Sequence, residues 1–200
     1  ADVIAGFHTA YSLLTALEYR EQSGEGQYIE MAQIEACLNL MGQPIADYSM
    51  NGRNWGREGN RHPGMAPHGL YRSKGENSWV SIAITNDEEW QTFCQVMDEP
   101  NLVMDERFRT AELRYENQNQ LDRIVEGWTS RFTHYESSEI LQSAGLAAGP
   151  VIEVDEMEQD PFLKDMFQEL SRDLTGTHPF PSWPVKFNGE RLQHTSPAPK

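Results

Sequence analysis

Three observations predict an α/β fold for this chain of 200 residues. An apolar-striped helix runs through a glycine turn into a short strand. A hairpin then alternates apolar and polar residues, and two later helices open on capping signals. Helix–turn–strand returns are typical of layered α/β architectures.

The first helix is predicted over residues 6–22, where Phe7, Ala10, Leu14 and Leu17 recur at helical spacing and Leu13 widens the stripe. Gly24, after Ser23, supplies a left-handed stop. Gly24-Glu25-Gly26 makes a tight turn, and residues 27–31 read as a strand. A second helix is expected over about residues 32–48, with Ile34, Cys37, Leu38, Met41 and Ile45 on its buried side. Pro44 should kink or break it. Residues 50–69 then concentrate Gly52, Gly56, Gly59, Gly64 and Gly69 with Pro63 and Pro67, and a loop this long is usually functional or a linker. A domain boundary is placed in it.

Residues 70–72 and 78–84 are expected to pair as a hairpin, with Val80, Ile82 and Ile84 on one face. Thr85-Asn86-Asp87-Glu88 reads as a capping box with Thr85 at the cap, leading into Trp90, Phe93, Cys94 and Met97 as core. A helix over about residues 112–132 points Leu121, Ile124, Val125 and Trp128 inward. Thr133-His134-Tyr135-Glu136 is another capping box, opening a helix that closes at Gly145. Residues 149–154 read as a strand, and the acidic run of Asp155, Glu156, Glu158 and Asp160 as a solvated helix start. Pro179, Pro181, Pro184, Pro197 and Pro199 suggest extended surface segments, with residues 183–187 as an edge strand. The boundaries expected are 1–58, part of a large α/β domain; 59–148, a small α+β domain; and 149–200, a segment returning towards the large domain.

The balance of 16 basic against 31 acidic residues, a net charge of −15, argues against nucleic acid or an anionic membrane as partner. No apolar run approaches the roughly eighteen residues a membrane span needs, and no leader pattern opens the sequence. Cys37 and Cys94 read as reduced core residues of a cytoplasmic protein. The histidines and cysteines form no metal-ligand spacing, so no metal is expected. One basic island stands out: Arg53, Arg57, Arg61, Arg72 and Lys74 against Glu58, with His62 and His68 among them. It suits an anionic ligand or a carboxylate substrate, and equally a solvated loop balancing acidic neighbours.

Asp2 stands four residues ahead of Gly6 at the mouth of the first helix. A carboxylate there feels the positive end of the helix dipole and its unpaired N–H groups, and an ionised carboxylate can act as a nucleophile. Position alone favours a plain helix cap, the commoner role of an Asp near a helix start. The surrounding blocks carry more information. Asp2, Gly6, the Ala/Leu-rich stretch ending in Arg20 and the turn Ser23-Gly24-Glu25-Gly26-Gln27 come first, followed by Tyr28-Ile29-Glu30-Met31-Ala32-Gln33-Ile34-Glu35-Ala36. Then come the stretch from Arg57 to Tyr71, the segment Ala144-Gly145-Leu146-Ala147-Ala148-Gly149-Pro150-Val151, and Asp160-Pro161. In this order they resemble the class III CoA-transferases, the CaiB/BaiF family, through essentially the whole chain.

The resemblance implies part of a Rossmann-like large domain plus a small α+β domain. It also implies a middle-to-late portion of a polypeptide about twice this length. The amino-terminal half, with most CoA contacts, would precede Ala1, and a Leu-Gly-Glu-His segment would follow Lys200. The implied activity is transfer of coenzyme A from an acyl-CoA thioester to a free carboxylic acid through covalent intermediates on Asp2. CoA would be substrate, with no tightly bound cofactor, in an interlocked homodimer. Gly59 and Gly64 are the expected glycines of the loop covering the reacting centre, with a plain linker as the alternative. A 2-methylacyl-CoA racemase, using Asp2 as acid/base opposite a histidine outside this sequence, is the alternative chemistry. The Val3-Ile4-Ala5 run after Asp2 favours transfer. An inactive fragment or a non-catalytic component of an assembly is the alternative of another class. His8, inside the helix, is expected to be packed or surface rather than a base.

Overall fold

The computed structural model describes residues 1–194. The chain divides into two compact units, Ala1–Gly59 and Asn60–Lys200. Pro197 and Pro199, expected in extended segments, lie outside the described residues.

The first unit is helical. α1 spans Asp2–Ser23 and therefore begins four residues earlier than the apolar stripe suggests. It ends on Gly24, whose φ of 78° lets its N–H reach the Arg20 carbonyl. Residues 27–31 are not a strand: a strand is defined by its pairing, and no other strand is present among the described residues of this unit. The next expected helix is two helices, α2 (Gln33–Leu38) and α3 (Gly42–Asn51). The chain breaks before Pro44 rather than at it. Pro44 sits in the first turn of α3, where its absent N–H would have no intrahelical partner anyway. α2 packs on α1, and Ala5 and Ala36 are the buried residues of the two helices.

The second unit is α+β, an antiparallel sheet with helices packed on it. β1 (His68–Arg72), β2 (Trp79–Ala83) and β3 (Ala147–Val151) form the sheet in the order β1-β2-β3. Tyr71 faces Val80 and Ile82 faces Ala148 across the ladders. Val80 and Ile82 alternate into the core, and Ile84 joins them just beyond β2. α4 (Asp87–Val96) is capped by Asn86 rather than Thr85: the Asn86 side chain accepts the Glu89 N–H. The box is shifted by one residue, because the Glu89 carboxylate is the one that reaches back to the Thr85 N–H at 2.7 Å. A 3₁₀ turn over Pro100–Met104 follows.

The long helix expected next is also divided, into α5 (Ala111–Glu116) and α6 (Gln118–Thr129) around Asn117. Leu121, Val125 and Trp128 of α6 enter the core as the periodicity predicts. α7 (His134–Ser143) opens on the full Thr133/Glu136 capping box, and Gly145 follows it at φ 79°. α6 packs on β1, and α7 on β2 and β3. Arg114 is the polar pin of the unit. Only 1% exposed, it donates to the carbonyls of Ala66 (2.9 Å) and Phe108 (3.2 Å) and to Asp87 (2.7 Å).

Beyond β3 the expected continuation does not form: residues 152 and 153 have no regular structure and a turn begins at residue 154. Asp160 is not part of a solvated helix start. It is 2% exposed and accepts from Tyr135 Oη and from the N–H groups of Phe162 and Leu163. Burial pushes its carboxyl upward, but those donors together outweigh burial and hold it below the usual range. The proline-rich end forms a hairpin of β4 (Phe167–Arg172) and β5 (Gly176–Pro181), then a short pair of β6 (Lys186–Phe187) and β7 (Glu190–Arg191). Pro179 and Pro181 are carried on β5, which pairs with β4 alone.

Candidate active site

Asp2 occupies the first helical position of α1, inside the helix rather than at its cap. The cap is Ala1, which offers no side-chain bond, so the simple N-cap role does not describe Asp2. The carboxylate is exposed. Among the described residues its side chain makes one hydrogen bond: Gln33 Nε2 donates to Asp2 Oδ1 at 3.0 Å. Gln33 is itself the first residue of α2, so the starts of two helices meet at this carboxylate.

Gly6 lies one turn further along α1, on the face that Asp2 shares. A Cβ built there meets no atom within 4 Å. Neither backbone strain nor close packing requires a glycine in this helix, where glycine costs about 1 kcal/mol relative to alanine. The result is open space at Gly6, one turn along α1 from Asp2. His8 is exposed on the same helix.

The two loop glycines fall on opposite sides of the unit boundary. Gly59 closes the first unit with φ 65°, and a Cβ added to it would meet no atom within 4 Å, so its backbone conformation alone is what favours glycine. Gly64 lies in the second unit beside the His62 ring, and its N–H donates to His62 Nδ1 at 3.2 Å.

The basic island is largely engaged by the chain's own groups. Arg53 meets Asp47 at 2.6 Å, and donation from Arg53, then Asn51 and Trp55, pulls the Asp47 carboxyl down to about 2. Arg61 lies 3.6 Å from Asp122, and the Arg72 guanidinium sits 4.5 Å from the centre of the Trp79 ring. Of the two cysteines, Cys94 is fully buried and Cys37 only partly. No group of three His, Cys, Asp or Glu side chains able to hold a metal occurs among the described residues. No described helix is long and apolar enough to cross a membrane.

Gln33 is the residue that sequence reasoning passed over. It lies 31 positions from Asp2, no local spacing connects them, and only the packing of α2 on α1 brings the amide to the carboxylate.

The sequence matches CoA-transferase family III over residues 1–200. The chain belongs to that family. It is 32% identical over 160 residues to succinyl-CoA–D-citramalate CoA-transferase of Chloroflexus aurantiacus, an alignment covering 80% of this chain and 40% of that relative. It is 28% identical over 204 residues to acetyl-CoA:oxalate CoA-transferase of Acetobacter aceti, covering all of this chain and 50% of that one. The crystal structure of a CaiB/BaiF family protein from Brucella suis superposes with a TM-score of 0.81 at 25% identity, over 98% of this chain and 51% of that protein. This chain thus spans about half the length of these relatives. The α/β class and the CaiB/BaiF type of fold expected from the sequence are those of the family.

Proposed function

We propose that this chain carries the nucleophile of a class III CoA-transferase and that the nucleophile is Asp2. Family membership supports the class of reaction, and the Chloroflexus and Acetobacter relatives named above are CoA-transferases. The observation that carries the residue is local. Asp2 presents an exposed carboxylate with one oxygen held by Gln33, and the side-chain-free Gly6 leaves space one turn along the same helix face.

In the proposed reaction, Asp2 Oδ2 attacks the carbonyl carbon of an acyl-CoA. The C–S bond breaks and CoA leaves as thiolate, giving a mixed anhydride. The thiolate then attacks Asp2 Cγ, and the donor acid leaves as carboxylate with Oδ2, so that an aspartyl thioester remains. An acceptor carboxylate repeats these steps in reverse and departs as the new acyl-CoA. Covalent relay divides one difficult exchange into easier steps. Gly59 and Gly64 are proposed for the loop that shields this chemistry from water. The same reading proposes a cytoplasmic homodimer as the working enzyme, with residues 1–58 bearing the nucleophile and residues 59–148 the smaller domain. No observation favours the racemase alternative.

The test uses the complete gene product. Asp2→Ala should lower CoA exchange more than about a thousandfold, the scale seen when a nucleophile is removed, with the helical content intact by circular dichroism. Acyl-CoA with hydroxylamine should leave a hydroxamate on Asp2, read by peptide mass spectrometry. Wild-type turnover by Asp2→Ala would rule the assignment out.

A further inference from the structure

We infer that the side-chain amide of Gln33 is the oxyanion donor for the steps that take place at the Asp2 carbonyl, an inference that rests on the nucleophile reading above. Oδ1 is the Asp2 oxygen that accepts from Gln33 Nε2 at 3.0 Å. When the other oxygen attacks the thioester, Oδ1 becomes the carbonyl oxygen of the anhydride. It stays on Cγ through the aspartyl thioester and through the return.

Each attack on Cγ, by the CoA thiolate or later by the acceptor carboxylate, moves the C=O electron pair onto Oδ1. When the tetrahedral adduct collapses, the pair returns and expels the donor carboxylate or the thiolate. Donors that stabilise such a charge stand about 2.7–3.1 Å from the oxygen that develops it. Gln33 is already within that range of Oδ1.

The amide is placed by backbone rather than by chance. Ala32, extended at φ −93° and ψ 132°, caps α2, and its carbonyl accepts from the N–H groups of Glu35 (3.1 Å) and Ala36 (3.2 Å). Ala5 and Ala36, 4% and 3% exposed, are the buried residues of the two packed helices that carry Asp2 and Gln33. An ionised carboxylate only accepts hydrogen bonds, so the amide nitrogen is the end of Gln33 that faces it.

The chemistry predicts an asymmetry. In the first attack Asp2 loses negative charge, so a donor on Oδ1 gives that step no help. In the attacks on Cγ charge gathers on Oδ1, and the donor helps. A side chain that merely positions Asp2 would affect both kinds of step alike.

The experiment is a rapid-quench single turnover of the complete gene product with acyl-CoA. Released thiol is read with a thiol reagent, and the covalent CoA adduct is read by intact-protein mass. Gln33→Ala should release thiol within about threefold of the wild-type rate and form the adduct about a hundredfold more slowly, the usual effect of losing one oxyanion donor. Free thiol should therefore persist. Gln33→Glu should be as slow near neutrality and recover as pH falls and the introduced carboxyl gains a proton to donate. Gln33 is exposed, so both variants should keep the wild-type unfolding midpoint.

Equal slowing of both steps, or of neither, would overturn the role of Gln33 while Asp2 stands. Thiol release by Asp2→Ala at the wild-type rate would instead remove the nucleophile itself.

Discussion

Residues 2–23 and residues 118–129 both carry an apolar stripe at helical spacing, yet the two helices meet opposite fates. In the first, Phe7, Tyr11 and Leu14 are 73%, 74% and 67% exposed; in the second, Leu121 and Val125 are 0% exposed. The second unit closes a core in which Phe93 meets Trp128 edge-on and Trp90 meets Phe108 likewise. The described residues of the first unit bury only Ala5 and Ala36. An amphipathic pattern therefore reports that a helix calls for an apolar cover, and says nothing about which part of a protein supplies it. Stability should follow burial rather than pattern.

The two cysteines give the widest test of that contrast, one in each unit. Burial pushes the Cys94 thiol up to about 12, and it lies within the core, whereas Cys37 is only partly covered. In native protein Cys37 should react with a disulfide reagent at least about a thousandfold faster than Cys94, which is modified only when a core stabilised by about 5 kcal/mol or more opens. Both thiols should react alike in denaturant. Equal native rates would break the comparison, because the packing around Cys94 would then open as readily as the surface of α2.

A smaller effect separates two phenylalanines. Phe93→Ala should cost about 3–4 kcal/mol, the scale for emptying a fully buried aromatic site. In this 200-residue chain alone, Phe7→Ala should change stability by less than about 0.5 kcal/mol, as surface substitutions do. Urea midpoints of the two variants measure the difference. A cost at Phe7 comparable to that at Phe93 would mean that the exposed stripe is covered in solution.

How much of this is legible in the sequence depends on the range of the interaction. The hairpin, the inward face of α6 and the Thr133 box are set by neighbours two to four residues apart, and local spacing reports them well. The strand expected over residues 27–31 does not form because a strand needs a partner. The β4–β5 hairpin escapes a sequence reading because Pro179 and Pro181 hide its alternation. Asp160 resembles a solvated charge; its backbone donors Phe162 and Leu163 are local, but its side-chain donor Tyr135 lies 25 positions away. The candidate site divides the same way. Asp2 and Gly6 share a helix face and can be read together, whereas Gln33 reaches Asp2 through packing alone. Gly59 and Gly64 can be singled out by composition, but composition carries no information on what a loop covers.

The smallest expected effect is at the start of α7, where a local rule operates within the well-packed unit. Thr133 Oγ1 accepts from the Glu136 N–H at 3.2 Å, and Glu136 Oε2 accepts from the Thr133 N–H at 2.9 Å. Thr133→Ala removes the first of these bonds and should cost about 1 kcal/mol. Donation from the Thr133 backbone, then from its hydroxyl, holds the Glu136 carboxyl below its ordinary value. A folded-state value below the unfolded one means stability that is present above the unfolded value and lost as pH falls through the folded one. Glu136→Gln keeps an acceptor for the Thr133 N–H but has no proton to bind. It should therefore flatten the loss of stability below about pH 4.3, the usual glutamate value, and lower the neutral-pH midpoint slightly, because the contribution of the ionised carboxylate is gone at every pH. An acid limb identical to wild type in Glu136→Gln would assign that limb to other carboxylates, with Asp160, held low by its own backbone donors, the next to replace.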